Sequence, residues 1–240
     1  MATLYRLAPF VNEIGWTGFL DESDTFVFIH SMRTGGTSIR DWLKIRQIGG
    51  EVLWHHSDLK SIQKFTDSRW KILAVARNPF AREFSLWKYY KKSGEFWEGK
   101  YDKNTGIIKK GFPAAGGMVD NTLRAALEMD FNDFMIHRYN ISHDYGGIAV
   151  ANFPAGPGQV SSVQANYIKT TAGRPYKVFK FENLEKEFID FTAQFNLEPK
   201  EFPHCNATNQ TNYQDHYTTA TRDLVASHEQ NVLQLFKYIF

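Results

Sequence analysis

The segment RTGGTS, Arg33 to Ser38, gathers a guanidinium, two adjacent glycines and three hydroxyls within a few residues. It falls between an apolar run, Phe26 to His30, and a helical pattern that starts at Gly36. The first turn of a helix presents unpaired backbone N–H groups and the positive end of its peptide dipoles. Gly35 and Gly36 let those N–H groups approach an oxyanion closely. The hydroxyls of Thr34, Thr37 and Ser38 can add hydrogen bonds, and Arg33 adds a permanent charge. The chemistry on offer is recognition of a phosphate-like anion. A tight turn with a purely structural role is the alternative, because isolated glycine-rich turns are weak signals.

A second such place lies in VARNPFAREFSLWKYY, Val75 to Tyr90. Arg77 ends an apolar run, Asn78 is a candidate N-cap and Pro79 suits the first helical position. Arg77 can pair a phosphate through its fork, and Ser85, two turns along the helix, can donate to it. Arg82 and Ser85 are three apart and share a helix face. Taken singly, Arg77 and Arg82 read equally as surface or salt-bridging residues. Two anion-ready turns on one sheet edge call for a ligand with two separated phosphate groups. The ATP or GTP loop G-x-x-x-x-G-K-[ST] is absent, and no apolar strand ends in an acid suited to hold Mg²⁺.

Histidine is the natural proton acceptor at neutral pH, and the chain has 8. His56, with His55 beside it, stands after one short apolar run and before a helical pattern, which puts both at the same sheet edge. The histidines show no metal-ligand spacing, and the single Cys205 has no cysteine partner for a zinc site, so no metal is expected.

The elements that must position these groups follow from periodicity. Strands are expected at Phe26 to His30, Glu51 to Trp54, Trp70 to Ala76 and Tyr176 to Phe181. Helices are expected at Gly36 to Arg46 with Ile39, Trp42 and Leu43 on one face, at Asp58 to Phe65, and after Asn78 with Phe80, Phe84 and Trp87. Others are expected within Leu123 to Tyr139 and through Leu184, Phe188 and Phe191. A closing helix from about Thr221 would use Leu224, Val225, Val232, Leu235 and Phe236. Strands alternating with helices indicate an α/β fold, a central parallel sheet flanked by helices, with ligands beyond the carboxyl ends of the strands.

The 240 residues fit one domain, and a hydrophobic content of 42% allows a substantial core. A net charge of +2 gives no case for wholesale nucleic-acid binding. Arg6 and Glu13 interrupt the start of the chain, so neither a signal peptide nor a membrane span is expected. A lone cysteine gives no sign of an oxidising compartment. A soluble, cytoplasmic protein is expected.

SMRTGGTS resembles the 5'-phosphosulfate loop of the sulfotransferases, and RNPFAREFSLWKY resembles their 3'-phosphate motif. The likeness is to the carbohydrate sulfotransferase branch, the one containing heparan sulfate 2-O-sulfotransferase and its bacterial relatives. It continues through HHSDL, QANYI, VFKFENLEKEF, FPHCNAT and NVLQLFKYIF. It spans most of the chain, leaving out the first twenty or so residues and the loops between about Gly94 and Gly158. The resemblance implies a three-layer P-loop-type fold in a single sulfotransferase domain over 1–240, with variable acceptor-side loops at about 94–158.

It also implies the donor, 3'-phosphoadenosine 5'-phosphosulfate (PAPS), without a metal. Thr34, Gly35, Gly36, Thr37 and Ser38 would hold the 5' end, with Arg33 beside the leaving phosphate where many relatives carry lysine. Arg77 and Ser85 would hold the 3'-phosphate. His56 would be the base that deprotonates the acceptor hydroxyl, with His55 the alternative. Glu182 resembles the family's strand-end acid and equally suits a first helical turn, which is the role favoured here. Asn206 and Thr208 fall in a loop that could cover the nucleotide. The acceptor is expected to be a glycan. Lys88 to Lys110 holds seven lysines with Phe96, Trp97, Tyr101 and Phe112 near or among them, which suits a groove for an anionic sugar or, equally, a solvated loop. Two other functions remain open at this point: a small-molecule kinase, and a nucleotide- or glycan-binding protein without catalysis.

Overall fold

The computed structural model describes residues 16–21, 24–29, 31–45, 71–97, 121–141, 164, 168, 176–194, 201–203 and 212–240. The strand expected at Glu51 to Trp54, the helix at Asp58 to Phe65, His55, His56, Cys205, Asn206, Thr208 and the lysine-rich segment beyond Trp97 lie outside them. The chain forms two compact units.

The first unit contains residues 1–77, 156–159 and 164–209. Its described strands are β1 (Trp16–Asp21), β2 (Asp24–Ile29), β3 (Lys71–Ala76) and β4 (Tyr176–Lys180). They form a sheet in the order β1-β2-β3-β4. β2, β3 and β4 run parallel, as an alternating strand–helix pattern requires. β1 pairs antiparallel with β2, Trp16 opposite Phe28, and was not among the expected strands.

Two described helices belong to this unit, α1 (Gly36–Ile45) and α5 (Leu184–Ala193), the latter entered through a 3-10 turn at Phe181–Asn183. The strand expected to reach Phe181 therefore ends at Lys180, because Phe181 already belongs to that turn. Side chains alternate across a strand, so the paired Phe28 and Leu73 share a face with the paired Val75 and Phe179. Ile39 and Trp42 of α1, three residues apart, and Leu184 and Phe188 of α5, four apart, join these four and Phe202 in one buried cluster. The Trp42 and Phe188 rings meet edge to face at 5.1 Å. This core fixes α1 and the start of α5 against the sheet, with the turn at residues 31–35 leading into α1.

The second unit contains residues 78–155, 160–163 and 210–240. Its described helices are α2 (Pro79–Trp97), α3 (Asn121–Glu128), α4 (Phe131–Ile141), α6 (Thr219–His228) and α7 (Gln230–Phe236). α2 begins as expected: the Asn78 side-chain oxygen accepts from the Phe80 N–H at 3.0 Å, and Pro79 opens the helix. The Asn78 amide in turn donates to the Ile239 carbonyl, and the Tyr217 hydroxyl to the Phe80 carbonyl. Phe80 meets Phe240 edge to face.

The single helix expected within Leu123 to Tyr139 is two, α3 and α4. Asp130 restarts the chain, its carboxylate accepting from the Asp133 N–H. The closing helix is also two. Thr218 caps α6 in a reciprocal box with Thr221, and the break falls at Glu229. Glu229 is buried and lies 3.5 Å from Arg82 on α2. Arg82 also pairs with Glu83 at 2.6 Å, and the second Glu83 oxygen accepts from Arg138 on α4 at 2.9 Å. Burial works to lower the Arg138 pKa, but the Glu83 carboxylate, together with Tyr90 and Tyr139, outweighs it and holds the guanidinium firmly charged. Leu235, assigned from periodicity to the apolar face, is 60% exposed. Among the described residues no helix is long and apolar enough to cross a membrane.

Candidate functional site

The turn between β2 and α1 has the strand–turn–helix form of a P-loop fold. Two of its residues take left-handed backbone angles, Arg33 at φ 59° and Gly35 at φ 78°. Gly35 must be glycine on two grounds. A side chain strains such a backbone, and a Cβ there would lie 2.7 Å from Leu184 Cδ2 and 3.0 Å from the Phe181 ring. The Ser38 N–H donates to the Gly35 carbonyl at 3.0 Å, closing the first turn of α1.

Thr34 is buried and its hydroxyl donates to the Ser31 carbonyl at 2.9 Å, which gives that side chain a role inside the turn. Gly36 and Ser38 are buried, while Arg33 and Thr37 are half-buried. No acid stands in the first turn of α1 or of α2, the two helices that follow the candidate anion turns. α3, α6 and α7 share that absence, whereas Asp133 sits in the first turn of α4, and Glu185 and Glu187 in that of α5. A carboxylate at a helix start competes with any anion for the dipole and the free N–H groups. Its absence leaves the start of α1 without such a competitor, while at α2 Pro79 has no N–H and the Asn78 side chain already accepts from the Phe80 N–H.

Arg77 follows directly on β3, and the structure brings it to the turn. Its Nη1 donates to the Arg33 carbonyl at 2.9 Å, across 44 residues of sequence. Its guanidinium lies 4.2 Å from the centre of the Phe181 ring, within cation–π range. Two cationic side chains, a glycine-dependent turn and a helix N-terminus thus share one edge of the first unit.

Gln164 joins them. Its side-chain oxygen accepts from the Arg77 N–H at 2.8 Å and its side-chain nitrogen donates to the Arg77 carbonyl at 2.8 Å. Neither Gln164 nor Phe181 stood out in the sequence as a site residue. The one available signal was that QANYI and VFKFENLEKEF fall within the resemblance described above.

Ser85 belongs to the second unit, on α2, where it is buried one turn beyond Arg82. Arg82 is buried and forms ion pairs with Glu83 and Glu229, the salt-bridging role open to it from sequence. Glu182 is exposed in the 3-10 turn, where an acid suits a helix start. Among the described residues no group of three His, Cys, Asp or Glu side chains is placed to hold a metal ion.

No protein-family model matches the sequence. No curated protein matches it significantly. Among solved structures the chain is similar to mouse sulfotransferase SULT7A1 complexed with PAP, at 9% sequence identity and a TM-score of 0.49, over 96% of this chain and 92% of that one.

Proposed function

We propose that the protein is a sulfotransferase that moves a sulfuryl group from PAPS to a hydroxyl, on a carbohydrate acceptor. The observation that carries this is the junction of the two motifs: Arg77, from the segment resembling the 3'-phosphate motif, is hydrogen-bonded onto Arg33 of the segment resembling the 5'-phosphosulfate loop. A donor with phosphates at both ends of one nucleoside needs both in one site.

In the reaction, the acceptor oxygen bonds to sulfur as the sulfur–oxygen bond to the 5'-phosphate breaks. The products are a sulfate ester and 3'-phosphoadenosine 5'-phosphate (PAP). The leaving phosphate gains charge in this step, and Arg33 together with the N–H groups at the start of α1 supplies the compensating field. Ser85 joins Arg77 at the 3'-phosphate, and His56 takes the acceptor proton. These roles rest on the sequence motifs, with Thr37 and Ser38 adding hydroxyl donors at the 5' end.

The test is titration calorimetry without metal, comparing PAP with adenosine 5'-phosphate (AMP) and with ATP plus Mg²⁺. PAP is expected to bind much the tightest, and Arg77→Ala to remove most of its advantage, about 1.5–3 kcal/mol for a charged hydrogen bond. Equal affinity for PAP and AMP in the unmutated protein removes the second anion site and the proposal with it. A preference for ATP with Mg²⁺ would favour a kinase.

A further inference from the structure

We infer that Gln164 is a positioning residue for the nucleotide site: its carboxamide fixes the Arg77 backbone, and through it the grip on the donor's 3'-phosphate and on the Arg33 turn. This rests on the function proposed above.

The last paired residues of β3 and β4 are Ala76 and Lys180, so Arg77 stands one residue past that pairing. A backbone leaving a sheet loses the partner that fixed it. Gln164 restores one from 87 residues away, accepting from the Arg77 N–H and donating to the Arg77 carbonyl, both at 2.8 Å. An amide side chain is suited to this, since it offers a donor and an acceptor as a neighbouring strand does. Gln164 is itself fully buried, and Arg77 half-buried, so both bonds are partly sheltered from competing water.

With its backbone held, the Arg77 side chain runs from the face of the Phe181 ring to the Arg33 carbonyl. Arg33 is held in a left-handed conformation that arginine rarely adopts, and the Arg77 bond is one of the contacts that hold it there. Gln164 therefore acts on both ends of the donor without touching it. Fixing a reactive group ahead of binding raises discrimination, because no ordering cost remains when the correct ligand arrives.

The experiment measures PAP and AMP affinities for Gln164→Met, which keeps the length and removes both hydrogen bonds, and for Gln164→Glu, whose carboxylate cannot donate to the Arg77 carbonyl. The PAP-to-AMP ratio is read within one sample, so it does not depend on the fraction folded. Both variants are expected to lower PAP affinity, which draws on both ends, more than AMP affinity, which draws on the Arg33 turn alone, so that the ratio falls by about tenfold, the scale of one or two hydrogen bonds. A folded variant that keeps the parent ratio, while Arg77→Ala loses it, overturns this inference and leaves the proposed function standing. A parent protein with no PAP preference overturns both. Failure of both variants to fold also overturns the inference, since Gln164 would then serve the fold and not the site.

Discussion

Replacing Gly35 by alanine tests the geometry of the cradle directly. At φ 78° the added Cβ meets the left-handed penalty, about 1–2 kcal/mol. It also lands 2.7 Å from Leu184 Cδ2 and 3.0 Å from Phe181 Cε2. Leu184 is buried among Phe28, Trp42 and Phe188, so its methyl cannot swing aside without disturbing that packing, which costs about 1–3 kcal/mol. Alanine stiffens the unfolded chain and returns about 0.4–1 kcal/mol. The net expectation is a loss of about 1–5 kcal/mol, a melting shift of about 2–20 °C for a chain of this size.

The two contributions separate in a cycle with Leu184→Ala, read by urea denaturation. Removing the leucine methyls removes the closest contact but leaves the backbone strain. Gly35→Ala should therefore cost about 1–2 kcal/mol less in that background. PAP affinity should fall in Gly35→Ala and recover in part in the double variant, as the first turn of α1 settles back. Additivity of the two substitutions within about 0.5 kcal/mol would show that no steric contact is shared. A Gly35→Ala protein as stable as its parent would refute the left-handed turn itself.

Removing the Glu83 carboxylate leaves Arg82 and Arg138 buried beside one another, so Glu83→Ala should cost about 3–5 kcal/mol by denaturation; a variant that melts with the parent would deny the network any weight. Arg33→Ala should lower turnover by about 10²-fold or more, and donor affinity less, because the guanidinium opposes charge that develops in the transition state. Arg33→Lys should keep substantial activity, and an alanine variant with parental turnover would confine Arg33 to anchoring. His56→Ala should cost about 10²–10⁴-fold in a labelled-donor assay with hydroxylated glycans, with PAP affinity nearly unchanged and His55→Ala milder. The reverse order would assign the base to His55.

Local signals were legible from the residues alone. The N-cap at Asn78 and Pro79 involves neighbours within three positions, and the structure shows that contact. The apolar faces of α1 and α5 repeat at intervals of three and four residues, and Ile39, Trp42, Leu184 and Phe188 are buried accordingly. The RTGGTS turn carried its own requirement for glycine, because a left-handed backbone is a property of one residue.

Tertiary structure decided what depends on residues far apart in the chain. β1 carries a weak strand pattern and gains its place by pairing with β2. The break at Glu229 has no glycine or proline to announce it and accompanies a buried pairing with Arg82. Leu235 keeps helical spacing yet lies exposed beyond that break, since periodicity specifies a face without saying what covers it. The Arg77 contacts are of the same kind. A guanidinium at the end of β3 could be read as free for a phosphate, but its partners at Arg33 and Phe181 lie 44 and 104 positions along the chain, and Gln164, which holds the Arg77 backbone, lies 87. Sheet topology brings Arg33, Arg77 and Phe181 together, because parallel strands align their carboxyl ends whatever the length of chain between them.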